Sequence, residues 1–256
     1  MFLFVVTLVR WACLASHVPD ISEFTPLFLG LTGAGFIAIE SWTVYMALEP
    51  YVRRRWPHAI ISWTRVLSGK FRDPMVGGHI LIGVTFGTSL VVLLTAGISL
   101  AGTDPVRLPS SWILSGSRSA LAQALHNVLG GLSDGLWLLF FAFFCKVFFK
   151  RAWLAVLFII PVEFAFERLT PLTPVAVVPI IITVGLAMVY LLLHTGLLSV
   201  MVAFYTFRTL ATLTLTSDLS APATGASILL LCHIAALALF GFHSTMAGRP
   251  LFKVEW

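Results

Sequence analysis

The chain has 256 residues, of which 59% are hydrophobic and 11% charged, and a mean hydropathy of +0.98. A soluble domain covers its surface with about 25% charged residues, so this composition excludes a soluble fold. The net charge of +5 does not point to nucleic acid. The positive residues gather in polar interruptions between long apolar runs, which is the signature of membrane topology.

A spanning helix needs roughly 20 apolar residues. In chain order, residues 2–16 form a short apolar run containing Arg10, which reads as a brief first span and as the truncated start of a longer protein. Without a basic leader before it, and with Arg10 inside it, this run is not a cleaved signal peptide. Residues 25–47 form a good span interrupted by Glu40. A polar basic loop occupies 48–78, followed by the cleanest span at 79–101. That span carries Gly83 and Gly87, a spacing that lets another helix approach closely. Residues 102–127 read as a loop whose second half, SRSALAQALHN, forms a surface helix. Spans follow at 128–149 and at 153–167, the latter short and holding Glu163. Residues 175–193 and 196–215 read as a hairpin turning at 194–196, since one helix of roughly 40 residues is too long for a bilayer. The last span is 224–242. The expected fold is a single all-α domain over 1–256, a polytopic membrane bundle of eight transmembrane helices.

Basic residues between spans stay on the cytoplasmic side. The 48–78 loop holds Arg53, Arg54, Arg55, Arg65, Lys70 and Arg72 against Glu49 and Asp73, so it sets the orientation. Alternation from it places Lys146, Lys150, Arg151, Arg249 and Lys253 inside. Arg107, Arg118, Arg168 and Arg208 fall on or near the outside. Eleven basic residues against four support both termini being cytoplasmic. Within the loop, Ile60, Trp63, Leu67 and Phe71 share one helical face, with Ser62, Arg65, Gly69 and Arg72 on the other. This predicts an interfacial amphipathic helix with Trp63 and Trp56 at headgroup depth and the arginines toward anionic lipid.

Four ionisable groups fall within apolar spans: Glu40, Asp134, Glu163 and Arg208. A charge at the bilayer centre costs at least about 2.5–3.5 kcal/mol, so such groups face the bundle interior and find partners. Glu163 or Glu40 is the expected partner of Arg208. Gly131-Leu132-Ser133-Asp134-Gly135 matches the G-x-S-x-G pattern of a nucleophile elbow, but that motif needs a preceding strand, and none precedes it. The two glycines are expected to ease helix packing instead. Glu163, Glu167 and Arg168 lack the paired glutamates of an intramembrane protease. His194, His233 and His243 are expected to pack or lie at an interface, with no catalytic, metal or cofactor role. Cys13, Cys145 and Cys232 all lie in apolar runs and read as small buried hydrophobes.

The segment ALEPYVRRRWPHAIISWTRVLSGKFRDPMVGG, together with LTSDLSAPATGASILLL and the tail GFHSTMAGRPLF, resembles the C-terminal multi-span membrane region of bacterial membrane-anchored serine/threonine protein kinases. The resemblance implies a cytoplasmic kinase domain ahead of the membrane region, in agreement with an internal N-terminus. The chain carries no Gly-rich nucleotide loop, V-A-I-K lysine, H-R-D or D-F-G, so it is not itself expected to be an enzyme. The expected function is an anchoring and sensory module in the bacterial cytoplasmic membrane. Its partners would be the bilayer, anionic headgroups and a cytoplasmic signalling domain. A transporter or permease is the rival reading and an intramembrane hydrolase the third.

Overall fold

The structure, a computed structural model, describes residues 1–15, 24–100, 116–158, 174–213 and 224–246. The described residues form helices: α1 (Phe2–Leu14), α2 (Phe24–Arg55), α3 (Ile61–Leu67), α4 (Pro74–Leu100), α5 (Ser117–Phe148), α6 (Pro174–Thr195), α7 (Leu197–Ala211) and α8 (Thr224–Met246), with short 3-10 turns at Pro57–Ala59 and Ala152–Ala155. No strand occurs among them. Hydrocarbon leaves backbone N–H and C=O groups no water to bond, so a helix that satisfies them internally is the natural element for such a sequence. Four of these helices, α2, α4, α5 and α8, are long and apolar enough to cross a membrane.

The short helix α7 is the centre of the bundle. Ten of its 15 residues are buried, and it packs most extensively against α4 and α5, while α4 also packs against α8. Between apolar helices in lipid there is little hydrophobic drive, and close van der Waals contact takes its place. Glycines supply that closeness on both sides of α7. On α4, Gly83 lies against the Ser199 carbonyl and Gly87 against the Ala203 carbonyl, each so near that an added Cβ would approach to 2.6 Å. On α5, Gly131 meets the Met201 carbonyl (2.8 Å) and Gly135 the Met201 side chain (2.5 Å). The G-x-S-x-G pattern is therefore the middle of a continuous helix, and its glycines form a packing ridge. A third close approach joins Gly77 of α4 to the Gly241 carbonyl of α8, at 2.6 Å for an added Cβ.

Apolar residues fill the bundle and also cover it. Val52, Leu138, Leu139, Met188, Leu192 and Val200 lie in the main core. Phe28, Phe36, Trp42, Leu93 and Leu239 are more than 60% exposed, an apolar exterior that suits lipid rather than water. Cys145 is buried as expected, Cys13 is partly buried, and Cys232 is exposed; all three are free thiols.

Two element boundaries differ from the sequence reading. The helix expected to end at 47 continues to Arg55 through Pro50, where the Glu49–Arg53 pair, one turn apart, supports its last turns. The surface helix expected in SRSALAQALHN is instead the first part of α5, which runs without a break from Ser117 to Phe148. At about 48 Å, α5 is longer than the roughly 30 Å hydrocarbon core. The hairpin turn at 194–196 is present, built on Gly196 at φ +100°, a backbone region that favours glycine. Of the expected 153–167 span, residues 159–167 lie outside the described residues.

Candidate functional site

The basic residues of the expected loop begin on a helix. Arg53, Arg54 and Arg55 form the last turn of α2, where positive charge complements the helix dipole, and all three are exposed. Arg53 donates to Glu49 Oε1 from Nε (2.9 Å) and Nη2 (2.6 Å). The chain then turns sharply, and Trp56, expected at headgroup depth, is only 3% exposed. It belongs to the main core, and a partner from a distant element lies over it, the Lys146 ammonium 4.0 Å from its ring centroid. This cation–π contact brings the end of α5, with exposed Lys150 and Arg151, to the end of α2. The α6–α7 turn meets the same place, since His58 Nε2 lies 3.3 Å from the Leu193 carbonyl and Gly196 rests on the Ala59 carbonyl. One end of the bundle thus collects basic residues from positions nearly 100 apart in sequence.

The predicted amphipathic helix is shorter and differently turned. α3 stops at Leu67, two residues before Gly69 at φ +79°. Its apolar stripe splits: Ile60 is buried, Trp63 packs against the core, and Leu67 and Phe71 are exposed. Ser62, assigned by spacing to the polar outer face, is fully buried. Its hydroxyl lies 2.8 Å from His79 Nδ1, a hydrogen bond that ties α3 to α4. A second tie joins Arg65 Nη1 to Asp73 Oδ1 at 2.6 Å. Asp73 also caps α4, accepting from the Met75 N–H at 2.9 Å, with Pro74 at the first helical position, where its missing N–H costs nothing. Burial pushes the Asp73 carboxyl up. The Arg65 hydrogen bond, the Met75 amide and the Arg65 charge outweigh it and hold the group below the usual carboxylate range. Lys70 and Arg72 are exposed and make no ion pair among the described residues.

Within the bundle, Arg208 donates from Nε to Asp134 Oδ2 at 2.6 Å, each side chain about one-fifth exposed. The expected partners were Glu163 and Glu40. Glu163 lies outside the described residues, and Glu40 sits on α2, partly exposed, while Asp134 faces α7 directly. Gly130, one turn before Asp134, has the Arg208 stem 3.2 Å from where a Cβ would stand. The missing side chain opens the path along which the guanidinium reaches the carboxylate. The polar contact extends along α5: Gln123 Nε2 donates to Asn127 Oδ1 (2.9 Å), and buried Asn127 donates from Nδ2 to Thr209 Oγ1 (3.2 Å). Asp134 and Lys146 are twelve residues apart on α5, so the ion pair lies about 18 Å along the helix from the basic end.

Sequence reasoning missed Lys146 as a partner of Trp56 and Ser62 as a partner of His79, because neither pairing has a local signal. The Asp73–Pro74 cap had one, the Asx-Pro start of an apolar helix. Among the described residues no group of three or more His, Cys, Asp or Glu side chains is placed to hold a metal ion. His194 Nδ1 lies 2.9 Å from the Tyr190 carbonyl of its own helix, and its ring sits tilted against the Tyr190 ring. No known protein family, curated protein or solved structure matches this chain.

Proposed function

We propose that this chain is an eight-span anchoring and sensory module of a bacterial serine/threonine-kinase-like signalling protein, seated in the cytoplasmic membrane with both termini inside. The observation that carries the membrane reading is the gathering of Arg53, Arg54, Arg55, Lys146, Lys150 and Arg151 at one end of an apolar bundle. Such a basic rim sits against anionic inner-leaflet headgroups, each basic residue contributing roughly 1 kcal/mol. The placing of the described helix ends supports this reading. The α2–α3 turn, the end of α5, the α6–α7 turn and the Gly77–Gly241 crossing near the end of α8 share that end. At the opposite end Arg118, in the first turn of α5, bonds the Cys13 and Ala15 carbonyls at the end of α1.

The signalling part of the reading rests on the resemblance of the basic segment to kinase membrane regions and on how that segment is wired. Ser62–His79 and Arg65–Asp73 link α3 to α4, and α4 carries the glycines that meet both α7 and α8. A change in helix packing within the membrane therefore displaces α3 and the basic rim, where a cytoplasmic domain would feel it.

Two measurements test this. Single-cysteine variants at Lys70 and Arg151, in a chain whose three native cysteines are replaced, are expected to react with an impermeant thiol reagent only after the membrane is opened. Labelling in intact cells would overturn the orientation. A photo-crosslinker at Arg54 is expected to capture a protein bearing H-R-D and D-F-G signatures. Capture of lipid alone would reduce the module to an anchor.

A further inference from the structure

Deepening the reading above, and resting on its placement of the basic end at the inner-leaflet interface, a candidate ligand site lies where the α3–α4 turn meets α8. An open groove there is lined by Lys70, Phe71, Arg72, Asp73 and Phe240 among others. Its charges do not cancel. Asp73 is occupied by Arg65 and by the Met75 N–H, so among the described residues the groove wall keeps two cations without an ion pair, Lys70 and Arg72, both exposed. Its apolar part is equally unfilled: Phe71 is 52% and Phe240 39% exposed. The turn that presents these groups is held in shape by Gly69 at φ +79° and by the Arg65–Asp73 bond.

We propose that this groove binds one anionic glycerophospholipid, its phosphate between Lys70 and Arg72 and an acyl chain along Phe71 and Phe240. Phe240 belongs to α8, six residues before Met246 at the helix end, which puts its ring about 9 Å below that end, at the depth where headgroup gives way to acyl chain. A basic pocket between helices on the cytoplasmic side is the arrangement that recognises anionic headgroups. A free phosphate would use the two cations and leave both rings bare. A lipid uses all four, and it couples the α3–α4 turn to α8 at the Gly77–Gly241 crossing.

The test uses the full chain in neutral detergent. Bound adducts are counted by native mass spectrometry and Tm is read with added phosphatidylglycerol, phosphatidylcholine or inorganic phosphate. One phosphatidylglycerol is expected to stay bound and raise Tm, with phosphatidylcholine and inorganic phosphate without effect. K70Q/R72Q is expected to weaken phosphatidylglycerol binding about 30-fold, because it removes both basic groups that hold the phosphate. Phe240→Ala weakens it with both charges intact, and R54Q/R55Q, on the rim outside the groove, weakens it far less than K70Q/R72Q. Equal binding of phosphatidylcholine, an equal response to inorganic phosphate, or an equal loss in R54Q/R55Q would each overturn the site. Should K70Q/R72Q fail to elute as a single species, K70Q alone decides, with about a fivefold loss expected and no loss overturning the site. Detergent micelles have no sides, so this result is independent of the orientation measured by thiol labelling.

Discussion

The guanidinium of Arg208 on α7 meets the carboxylate of Asp134 on α5 at 2.6 Å, passing over Gly130 to reach it. Each charge helps to make the other tolerable in the bundle. Asp134→Leu takes this carboxylate from the guanidinium and is expected to cost about 3 kcal/mol of stability. Replacing both, as D134L/R208L, is expected to recover most of that, because a buried pair is often no better than well-packed apolar residues. Unfolding in detergent across the full double-mutant cycle measures the coupling. A double variant no more stable than D134L would show that the pair does more than neutralise itself.

The glycines that grip α7 are expected to separate sharply from glycines that face open space. Gly83→Ala and Gly131→Ala place a Cβ against the Ser199 and Met201 carbonyls, and overpacking of this kind costs about 1–3 kcal/mol. Gly78→Ala and Gly33→Ala meet nothing within 4 Å and are expected to stabilise slightly, since alanine is the better helix former by about 1 kcal/mol. Tm values of the four variants in one detergent check the contrast. Similar Tm losses in all four would remove the glycine ridges as the basis of packing.

Asp73 supplies a pH signature outside the hydrocarbon. Its folded carboxyl is held below the ordinary range, so its contribution is complete above the unfolded value of about 3.9. It is lost as pH falls through the folded value. The stability difference between the native chain and Asp73→Asn is therefore expected to be constant from about pH 7 down to about pH 5 and to shrink at lower pH. A pH series of thermal unfolding for both proteins reads it. A difference that grows on acidification would reverse the assigned sign.

The sequence alone determined the solvent of this protein and its element type. Hydropathy and charge scarcity point to lipid, lipid leaves helices or closed barrels, and long uninterrupted apolar runs select helices, so the runs that became α2, α4, α5, α6, α7 and α8 were legible without any contact being known. The clustering of Arg53, Arg54 and Arg55 was equally plain, as was the turn at Gly196. Local spacing failed where a distant partner overrode it. Ser62 lies on the polar side of an idealised wheel, yet His79 draws it inward. Trp56 carries no local sign of the Lys146 ammonium that lies over its ring.

Only the tertiary structure decided which charges meet and what the glycines serve. Glu40 and Asp134 are equivalent carboxylates in an apolar string, and nothing local tells which of them meets Arg208. The choice of Asp134 follows from α5 lying against α7, which follows in turn from Gly131 and Gly135 allowing the two backbones to touch. In lipid, where apolar surface gains little by meeting apolar surface, close fit and the pairing of scarce polar groups select the packing. Both are properties of two helices together, which one helix's sequence does not contain.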